Sequence, residues 1–382
     1  MTITAKSSCS AIALMCVAAN AQAVDIYKDD KNLATLTGHY QVQYVSSDSS
    51  NEIVDSNSRI AFGFNKHIPK EWTAVGYLEL GVELAENNNS LVVQGNGIKG
   101  SSSKDDSVWL RQGYVGAKHE DYGSITIGKQ WGSIYTVSGQ ADIWHYLGGD
   151  AAGIYNLGSD GGFSGTGRAE QAIQYNNKFG DLALSLQYQA TEEDISVYNQ
   201  FGEEIDGVSA LYDDSFGFGL KYSLPWNITL GAGYNEAYLE FEDSNANQTF
   251  DVDDTLTAFS ISYGSGKSDK VYVVAIFTEA EFHEINDQNG LMEESTGLEV
   301  WASYRFMDDK FMSYGGYNAL EDDSSGEDNS YKRSHYLLGL AYYYDPSFYV
   351  FTEAQLEDDS KFADGSTNDR DDIFALGIRY QF

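Results

Sequence analysis

Apolar and polar residues alternate along many short segments of this chain, and this period of two constrains the fold more than any other feature. Between residues 34 and 46, Leu36, Tyr40 and Val42 share one face, whereas Thr37 and Gln41 share the other. Successive side chains of a β-strand point to opposite faces, so the pattern predicts strands with one apolar and one polar face. Because it recurs as far as the last residues, 374–382, the sequence predicts an all-β protein.

The connections between these segments alternate in length. Seven are short, at residues 66–71, 119–122, 178–181, 224–226, 265–269, 307–310 and 345–347. Eight are long, near residues 46–57, 86–106, 132–167, 191–213, 242–252, 284–294, 321–333 and 358–371. Short turns at one end and long loops at the other are typical of an up-and-down barrel. Fifteen alternating connections therefore predict a 16-stranded antiparallel β-barrel.

The composition favours a barrel in a membrane. The chain of 382 residues has 28 Tyr, 38 Gly and a mean hydropathy of −0.39. After the N-terminal segment no apolar run approaches the roughly 18 residues of a helical span, and abundant aromatic residues argue against disorder. A transmembrane barrel needs this mixture, because half of each strand faces lipid and half faces water. The net charge of −35 excludes a protein that binds nucleic acid through phosphate contacts.

The N-terminus has the features of a secretory signal peptide, which we place at residues 1–23. Lys6 supplies the positive charge, residues 11–19 form an apolar core, and Ala21-Gln22-Ala23 is a cleavage motif. The alternative is a lipoprotein signal at Cys16, which follows an apolar run. It is disfavoured because the residue before the cysteine should be small and is Met15 here. The predicted barrel covers residues 24–382. It contains no cysteine, since Cys9 and Cys16 are the only two.

The long segment from Trp131 to Arg168 is rich in glycine and has no Lys or Arg between its ends. A loop of this length inside a compact domain is usually functional. We expect residues 132–167 to fold into the lumen and narrow a water-filled pore.

No enzyme motif is found, and we expect no catalytic residues, no cofactor and no metal site. The segment from Asp243 to Asp254 has oxygen ligands at calcium-loop spacings. However, Gln248 replaces the required glycine, so an acidic loop is the simpler interpretation. The eight long connections hold 33 of the 58 acidic residues and 6 of the 23 basic ones. This excess has three interpretations: it aids solubility, it concentrates cations at the loop end, or divalent ions bridge the acidic loops to anionic lipid headgroups. We favour a combination of the first two.

A second set of charges fits a pore. Arg59 lies on the polar face of its strand, Arg111 shares a predicted face with Gly113 and Val115, and Arg168 opens the strand after the long loop. Asp142 and Asp150 in that loop are the expected counter-charges. A field between a basic wall and an acidic loop sets ion selectivity. The alternative is that each Arg forms a local ion pair, and Arg168 has Asp160 and Glu170 nearby.

The chain resembles the general trimeric porins of Gram-negative outer membranes. Motifs in the family's order carry the resemblance: DIYKDDKNLATLTG, SRIAFGFNKHI, DYGSITIGKQWGSIY, LGGD, GRAEQAIQYN and the terminal GIRYQF. It implies a 16-stranded barrel, a homotrimer, an inward-folded third loop and a loop at residues 86–106 that reaches the neighbouring protomer.

The resemblance also assigns pore residues. It places Arg59, Arg111 and Arg168 on the basic wall and Asp142 on the loop. His39 takes the position of a frequent Lys, and Lys129 adds a positive charge. Tyr146 stands where an acidic residue is usual, which leaves the loop side less negative than in the family.

We therefore expect an outer-membrane channel for passive diffusion of ions and small hydrophilic solutes, with a mild preference for cations. Its partners would be two further copies of the chain and outer-membrane lipid, including lipopolysaccharide. One alternative is a sugar-selective porin with an aromatic track at Tyr135, Trp144, Tyr146 and Tyr155. The other is a structural or adhesive surface barrel.

Overall fold

The computed structural model describes residues 23–382 except 56, 86–87, 95–96, 104–106, 150, 157–158, 192, 199–203, 244–247, 267–268, 288–289 and 325–329. For residues 88–94, 97–103, 193–198, 204–208, 243 and 248 it describes the backbone alone. The predicted signal peptide lies outside the described residues apart from Ala23.

Strands account for most of the described chain. They are β1 (Val24–Lys28), β2 (Asn32–Ser46), β3 (Asn51–Asp55), β4 (Arg59–His67), β5 (Thr73–Val82), β6 (Asn88–Gln94), β7 (Gly97–Ser103), β8 (Val108–His119), β9 (Gly123–Trp131), β10 (Arg168–Phe179), β11 (Leu182–Gln189), β12 (Glu193–Tyr198), β13 (Glu204–Leu224), β14 (Ile228–Asp243), β15 (Gln248–Tyr263), β16 (Val271–Glu281), β17 (Glu294–Phe306), β18 (Phe311–Asp322), β19 (Lys332–Asp345), β20 (Phe348–Glu357) and β21 (Ile373–Gln381). The helices are α1 (Tyr135–Ser138) and a 3-10 turn at Pro225–Asn227. Among the described residues no helix could span a bilayer.

Sixteen of these strands close into one antiparallel barrel, which confirms the predicted fold. They are β2, β4, β5, β8, β9, β10, β11 and β13 to β21. Closure joins β2 to β21, from His39 opposite Gln381 to Ser46 opposite Phe374. On the same edge of β2, the residues from Leu33 to Leu36 pair with β1. The seam is thus hydrogen-bonded along both segments, as a barrel in lipid requires.

Large apolar residues cover the outside of the barrel, whereas the inner wall combines polar residues with apolar ones, such as Ile276 and Trp301, that pack against loop 3. On β21, Phe374, Leu376 and Ile378 are exposed, and Leu376 keeps 61% of its surface, whereas Ala375 and Arg379, on the opposite face, are buried. Burying a charge while exposing large apolar side chains would be costly in water. It is the arrangement expected when lipid surrounds the wall and loops fill part of the lumen.

Four of the predicted long connections contain strands, which corrects the expected loop boundaries, and the first of them, residues 46–57, includes β3. Residues 86–106 include the hairpin β6–β7, residues 191–213 include β12 and the start of β13, and residues 242–252 lie mostly in β14 and β15. The polar residues of these hairpins conceal their β-structure, because a hairpin beyond the lipid needs no apolar face.

Loop 3, which we define as residues 132–167, lies against the inner wall. Glycines allow the contact: a Cβ at Gly219 would lie 2.3 Å from the carbonyl oxygen of Ser133, and one at Gly297 would lie 1.9 Å from that of Ala151. The backbone of the loop therefore occupies space that any side chain at these wall positions would take. Trp144 of loop 3 packs on Trp301 of β17, with ring centroids 4.3 Å apart.

Candidate functional site

A β-bulge directs Arg111 toward the lumen. Glu79 pairs with Gln112 and the next residue, Leu80, pairs with Leu110, so Arg111 is the extra residue of β8. The expected alternation is wrong here. Arg111 is 5% exposed, whereas Val115, predicted on the same face, is 66% exposed on the outside. A bulge inserts one residue and reverses the side-chain phase on its far side.

Arg111 belongs to a group of charged residues on the inner wall. Its Nε donates a hydrogen bond to Oε1 of Glu79 over 2.9 Å. Arg59 interacts electrostatically with both Glu79 and Arg111, and a second oxygen of Glu79 accepts from the Tyr77 hydroxyl at 2.9 Å. One carboxylate therefore compensates two neighbouring guanidinium groups.

A second charged group joins loop 3 to β9 and β10. Lys129 contacts Asp160 at 3.2 Å and Glu170 at 2.5 Å, and Arg168 contacts Asp160 at 3.2 Å. Burial acts to raise the pKa of Asp160, but Arg168 and Lys129 outweigh it and hold this pKa below its usual value. Local ion pairing, the alternative considered for Arg168, is what the structure contains.

Asp142 lies in loop 3 beside two phenols. It accepts hydrogen bonds from the hydroxyl groups of Tyr135 at 2.8 Å and Tyr155 at 3.4 Å. Tyr155 interacts electrostatically with Asp142 and with Arg59, Arg111 and Arg168. The geometry thus brings the acidic loop position and the three predicted arginines into one electrostatic neighbourhood.

Two wall carboxylates hold the backbone of loop 3. Glu353 accepts the backbone N–H groups of His145, Tyr146 and Leu147 at 2.8, 2.9 and 2.8 Å. Glu299 accepts those of Ala151 and Ala152 at 2.9 and 3.1 Å. Ionised acceptors form strong hydrogen bonds with backbone amides, so these two residues fix the course of the loop across the lumen.

The chain matches the Gram-negative porin family over residues 8–382. It belongs to the Gram-negative porins. The match covers nearly the whole sequence, so the barrel and its inward loop are parts of an outer-membrane channel protein. Family and fold both indicate a channel and not an enzyme.

Individual relatives match this porin over nearly its full length. It is 26% identical to outer membrane protein S2 of Salmonella typhi over 97% of this chain and 98% of the relative. It is also 26% identical to outer membrane porin N of Escherichia coli K12, with the same coverage.

Solved structures support the fold. OmpF of Salmonella typhi, in complex with daunomycin, superposes with a TM-score of 0.68 at 19% identity, covering 94% of this chain and all of that one. The trimer form of OmpT from Vibrio cholerae gives a TM-score of 0.62 at 15% identity, covering 92% of this chain and all of that one.

The remaining predicted site residues of this porin occupy different surroundings. His39 is buried on the inner wall, in register with Arg59 on one side and Gln381 on the other. Tyr146 is half-buried and packs near Val45 and Val54, with its N–H on Glu353. Asp150 lies outside the described residues. Their roles in permeation stay predictions.

Sequence reasoning missed several functional candidates. Glu79 and Arg379 could have been found, because alternation along β5 and β21 already places them on the inner face. Arg379 donates to the Gln41 side chain and, from Nη2, to the carbonyl oxygen of His145 at 3.2 Å. The loop contacts of Glu299 and Glu353 carry no local signal, since their partners lie 147 to 208 residues away.

Proposed function

We propose that this porin conducts ions and small hydrophilic solutes with a mild preference for cations, and that loop 3 and the charged wall form its constriction. The pairing of the wall charges carries the proposal. Arg111 is bound by Glu79, and Lys129 and Arg168 are bound by Asp160 and Glu170. Paired arginines attract anions weakly, because each neighbouring carboxylate cancels much of the field at a distance.

The surplus of acidic residues at the long-loop end then decides the sign of the selectivity. The full chain has 58 Asp and Glu against 23 Lys and Arg. An acidic entrance raises the local concentration of cations. Salt screens this effect, since the Debye length falls from about 10 Å at 0.1 M to about 3 Å at 1 M. The preference should therefore weaken as the salt concentration rises.

We further propose that the porin is a homotrimer. The outer face across β4, β5, β8 and β9 has shallow apolar grooves, lined by Phe64, Gly76, Leu78, Gly113, Val115 and Ile127. Such a surface suits close packing against another barrel. The trimer form of OmpT supports the same assembly. Elsewhere the apolar belt would contact outer-membrane lipid, with lipopolysaccharide facing the long loops.

Planar-bilayer recording tests the proposal. Insertion of the purified protein should give three conductance steps, and a salt gradient should give a reversal potential of the cation-preferring sign. Asp142→Asn should reduce the preference for cations, and Arg111→Ala should increase it. A reversal potential of the anion-preferring sign at 0.1 M salt would refute the selectivity.

A sugar-selective channel is a second candidate, favoured by one observation. Trp131 and Tyr135 stack with centroids 3.8 Å apart, and the Arg168 guanidinium lies 5.5 Å from the Trp131 ring centre. Tyr135 is buried in this stack, so the faces that could bind a sugar ring are those of the partly buried Trp144, Tyr146 and Tyr155. An oligosaccharide that blocks the ion current would support this candidate, and the absence of block by any sugar tested would exclude it. A purely structural or adhesive barrel would form no open channel.

A further inference from the structure

A buried histidine contacts the far part of loop 3 from outside the charged wall. His283 follows β16 and is fully buried, as is Asp254 on β15. The Nδ1 atom of His283 lies 2.5 Å from Oδ1 of Asp254, and its Nε2 atom lies 2.8 Å from the carbonyl oxygen of Gly153 in loop 3. The ring therefore bridges the barrel and the loop.

The chemistry of the two neighbours defines the protonation of this ring. A carbonyl oxygen only accepts hydrogen bonds, and an ionised carboxylate also only accepts. A neutral imidazole has a single N–H and could satisfy just one of the two contacts. Both contacts are satisfied together when the ring carries two protons.

Asp254 is arranged as an ionised acceptor. Its Oδ2 atom accepts from the Tyr212 hydroxyl at 2.7 Å and from Nδ2 of Asn156 at 3.0 Å. Three donors thus converge on one carboxylate, which stabilises its negative charge. Because Asn156 belongs to loop 3, Asp254 holds the loop directly as well as through His283.

We propose that His283 is a positioning residue of the channel, whose doubly protonated ring fastens residues 153–156 of loop 3 to β15. The proposal rests on the proposed function only where it links the loop to the current, because loop 3 must then narrow the pore. Loss of one ring proton removes the donor to Gly153 or the donor to Asp254. The loop then keeps the Asn156 hydrogen bond and the carboxylate anchors near His145 and Ala151, so residues 153–156 loosen while the barrel remains closed.

The charges around the ring place this change in alkaline solution. Burial acts to lower the pKa of His283, but Asp254, then Glu284 and the Gly153 carbonyl, outweigh it and raise the pKa to about 9. The other titratable group at the cluster is the Tyr212 phenol, which donates to Asp254. A histidine with a raised pKa contributes its full effect below its unfolded value near 6.5 and loses it as the pH rises through about 9.

The test measures loop mobility and current separately. A nitroxide attached at Ser159→Cys reports motion of loop 3 by electron paramagnetic resonance, and bilayer recording reports conductance and noise, both from pH 6 to pH 10.5. In the wild type the mobile fraction should rise about tenfold per pH unit below a midpoint near 9. His283→Gln should be mobile at every pH and show no transition, and Asp254→Asn should move the midpoint to lower pH.

Two controls separate the possible failures. Asn156→Ala removes a hydrogen bond but no titratable group, so it should raise mobility without moving the midpoint. The shift in gel migration between unheated and heated samples shows whether the barrel of each variant is folded. A wild-type label with no transition between pH 8 and 10, or the same transition in folded His283→Gln, overturns the positioning role. A transition in mobility with unchanged conductance supports that role but shows that loop 3 does not set the constriction.

Discussion

Arg111 and Glu79 form a buried ion pair on the inner wall, with Nε of the arginine 2.9 Å from Oε1 of the glutamate. The pair exists because the bulge in β8 reverses the direction of Arg111. Since Glu79 also lies near Arg59, its charge compensates two guanidinium groups in the proposed constriction.

Glu79→Gln should make the channel more permeable to anions. The amide keeps an acceptor for Arg111 but removes the charge that balances Arg111 and Arg59. One unit charge at about 4 Å in water corresponds to about 1 kcal/mol, so the cation-to-anion permeability ratio should fall by a factor of about 2–5. Reversal potentials in a salt gradient measure it. Asp181→Asn, on an exposed turn, is the matched control and should leave the ratio unchanged.

Alternation in the sequence predicts most of the barrel but not its irregular positions. It correctly places Arg59 and the polar face of β2 on the inside, because in a regular strand the position in the sequence determines which face a side chain points to. The alternation fails at Arg111, because one extra residue in β8 exchanges the inward and outward positions beyond it. No residue type in the sequence marks this bulge. The hairpin β6–β7 was expected to be a loop because, outside lipid, its strands need no apolar face.

The path of loop 3 could be predicted only as an inward fold. Its length and glycine content indicate a functional loop, yet its anchors depend on contacts between distant parts of the chain. Glu353 accepts the backbone N–H of His145, which lies 208 residues away in the sequence. The residues around either position do not predict this contact. Strand alternation and loop position already selected Asp142 and the arginines, and the resemblance gave them the same places, while the ion pairs of Lys129 with Asp160 and Glu170 required coordinates.

Gly297→Ala should displace loop 3. The new methyl carbon would lie 1.9 Å from the carbonyl oxygen of Ala151, well inside contact distance, and the obstacle is backbone. Overpacking of this kind costs about 1–3 kcal/mol, and the segment at Ala151 should move off the wall. Single-channel conductance and melting temperature measure the effect. Gly76→Ala is the control, because its nearest contact would be an ordinary 3.8 Å, and its conductance should equal that of the wild type.

Glu353→Gln should release the first part of loop 3. The carboxylate accepts three backbone N–H groups and, at 3.0 Å, the Tyr314 hydroxyl. Glutamine offers one oxygen and turns an amino group toward donors. Each hydrogen bond to a charged group contributes about 1.5–3 kcal/mol. Current noise and protease cleavage within loop 3 should both increase. An unchanged cleavage pattern would contradict the anchoring role, and Glu120→Gln on an exposed turn serves as the control.

Acid should weaken the attachment of loop 3 through His145. Burial, followed by Arg379 and Arg305, lowers the pKa of this ring well below its usual value. The unfolded chain therefore binds the proton first, and stability falls as the pH drops from about 6.5 toward the folded pKa. Melting temperatures of the wild type should decrease between pH 7 and pH 5. His145→Gln cannot titrate there and should show a flatter profile; equal slopes would exclude His145 as the cause.

Phe259→Arg should destabilise the barrel because this side chain belongs to the lipid-facing belt. Phe259 is 50% exposed on β15, between Ala232 and Phe277 on the neighbouring strands, while Ser260 beside it is buried. An arginine on the lipid face near the midplane costs about 2–4 kcal/mol, falling to about 0–1 kcal/mol near the interfaces. Urea titration of the protein refolded into lipid vesicles measures this cost. Met307→Arg replaces an equally apolar but turn-located side chain, so its cost should lie in the lower range, and equal costs for the two variants would place Phe259 outside the lipid.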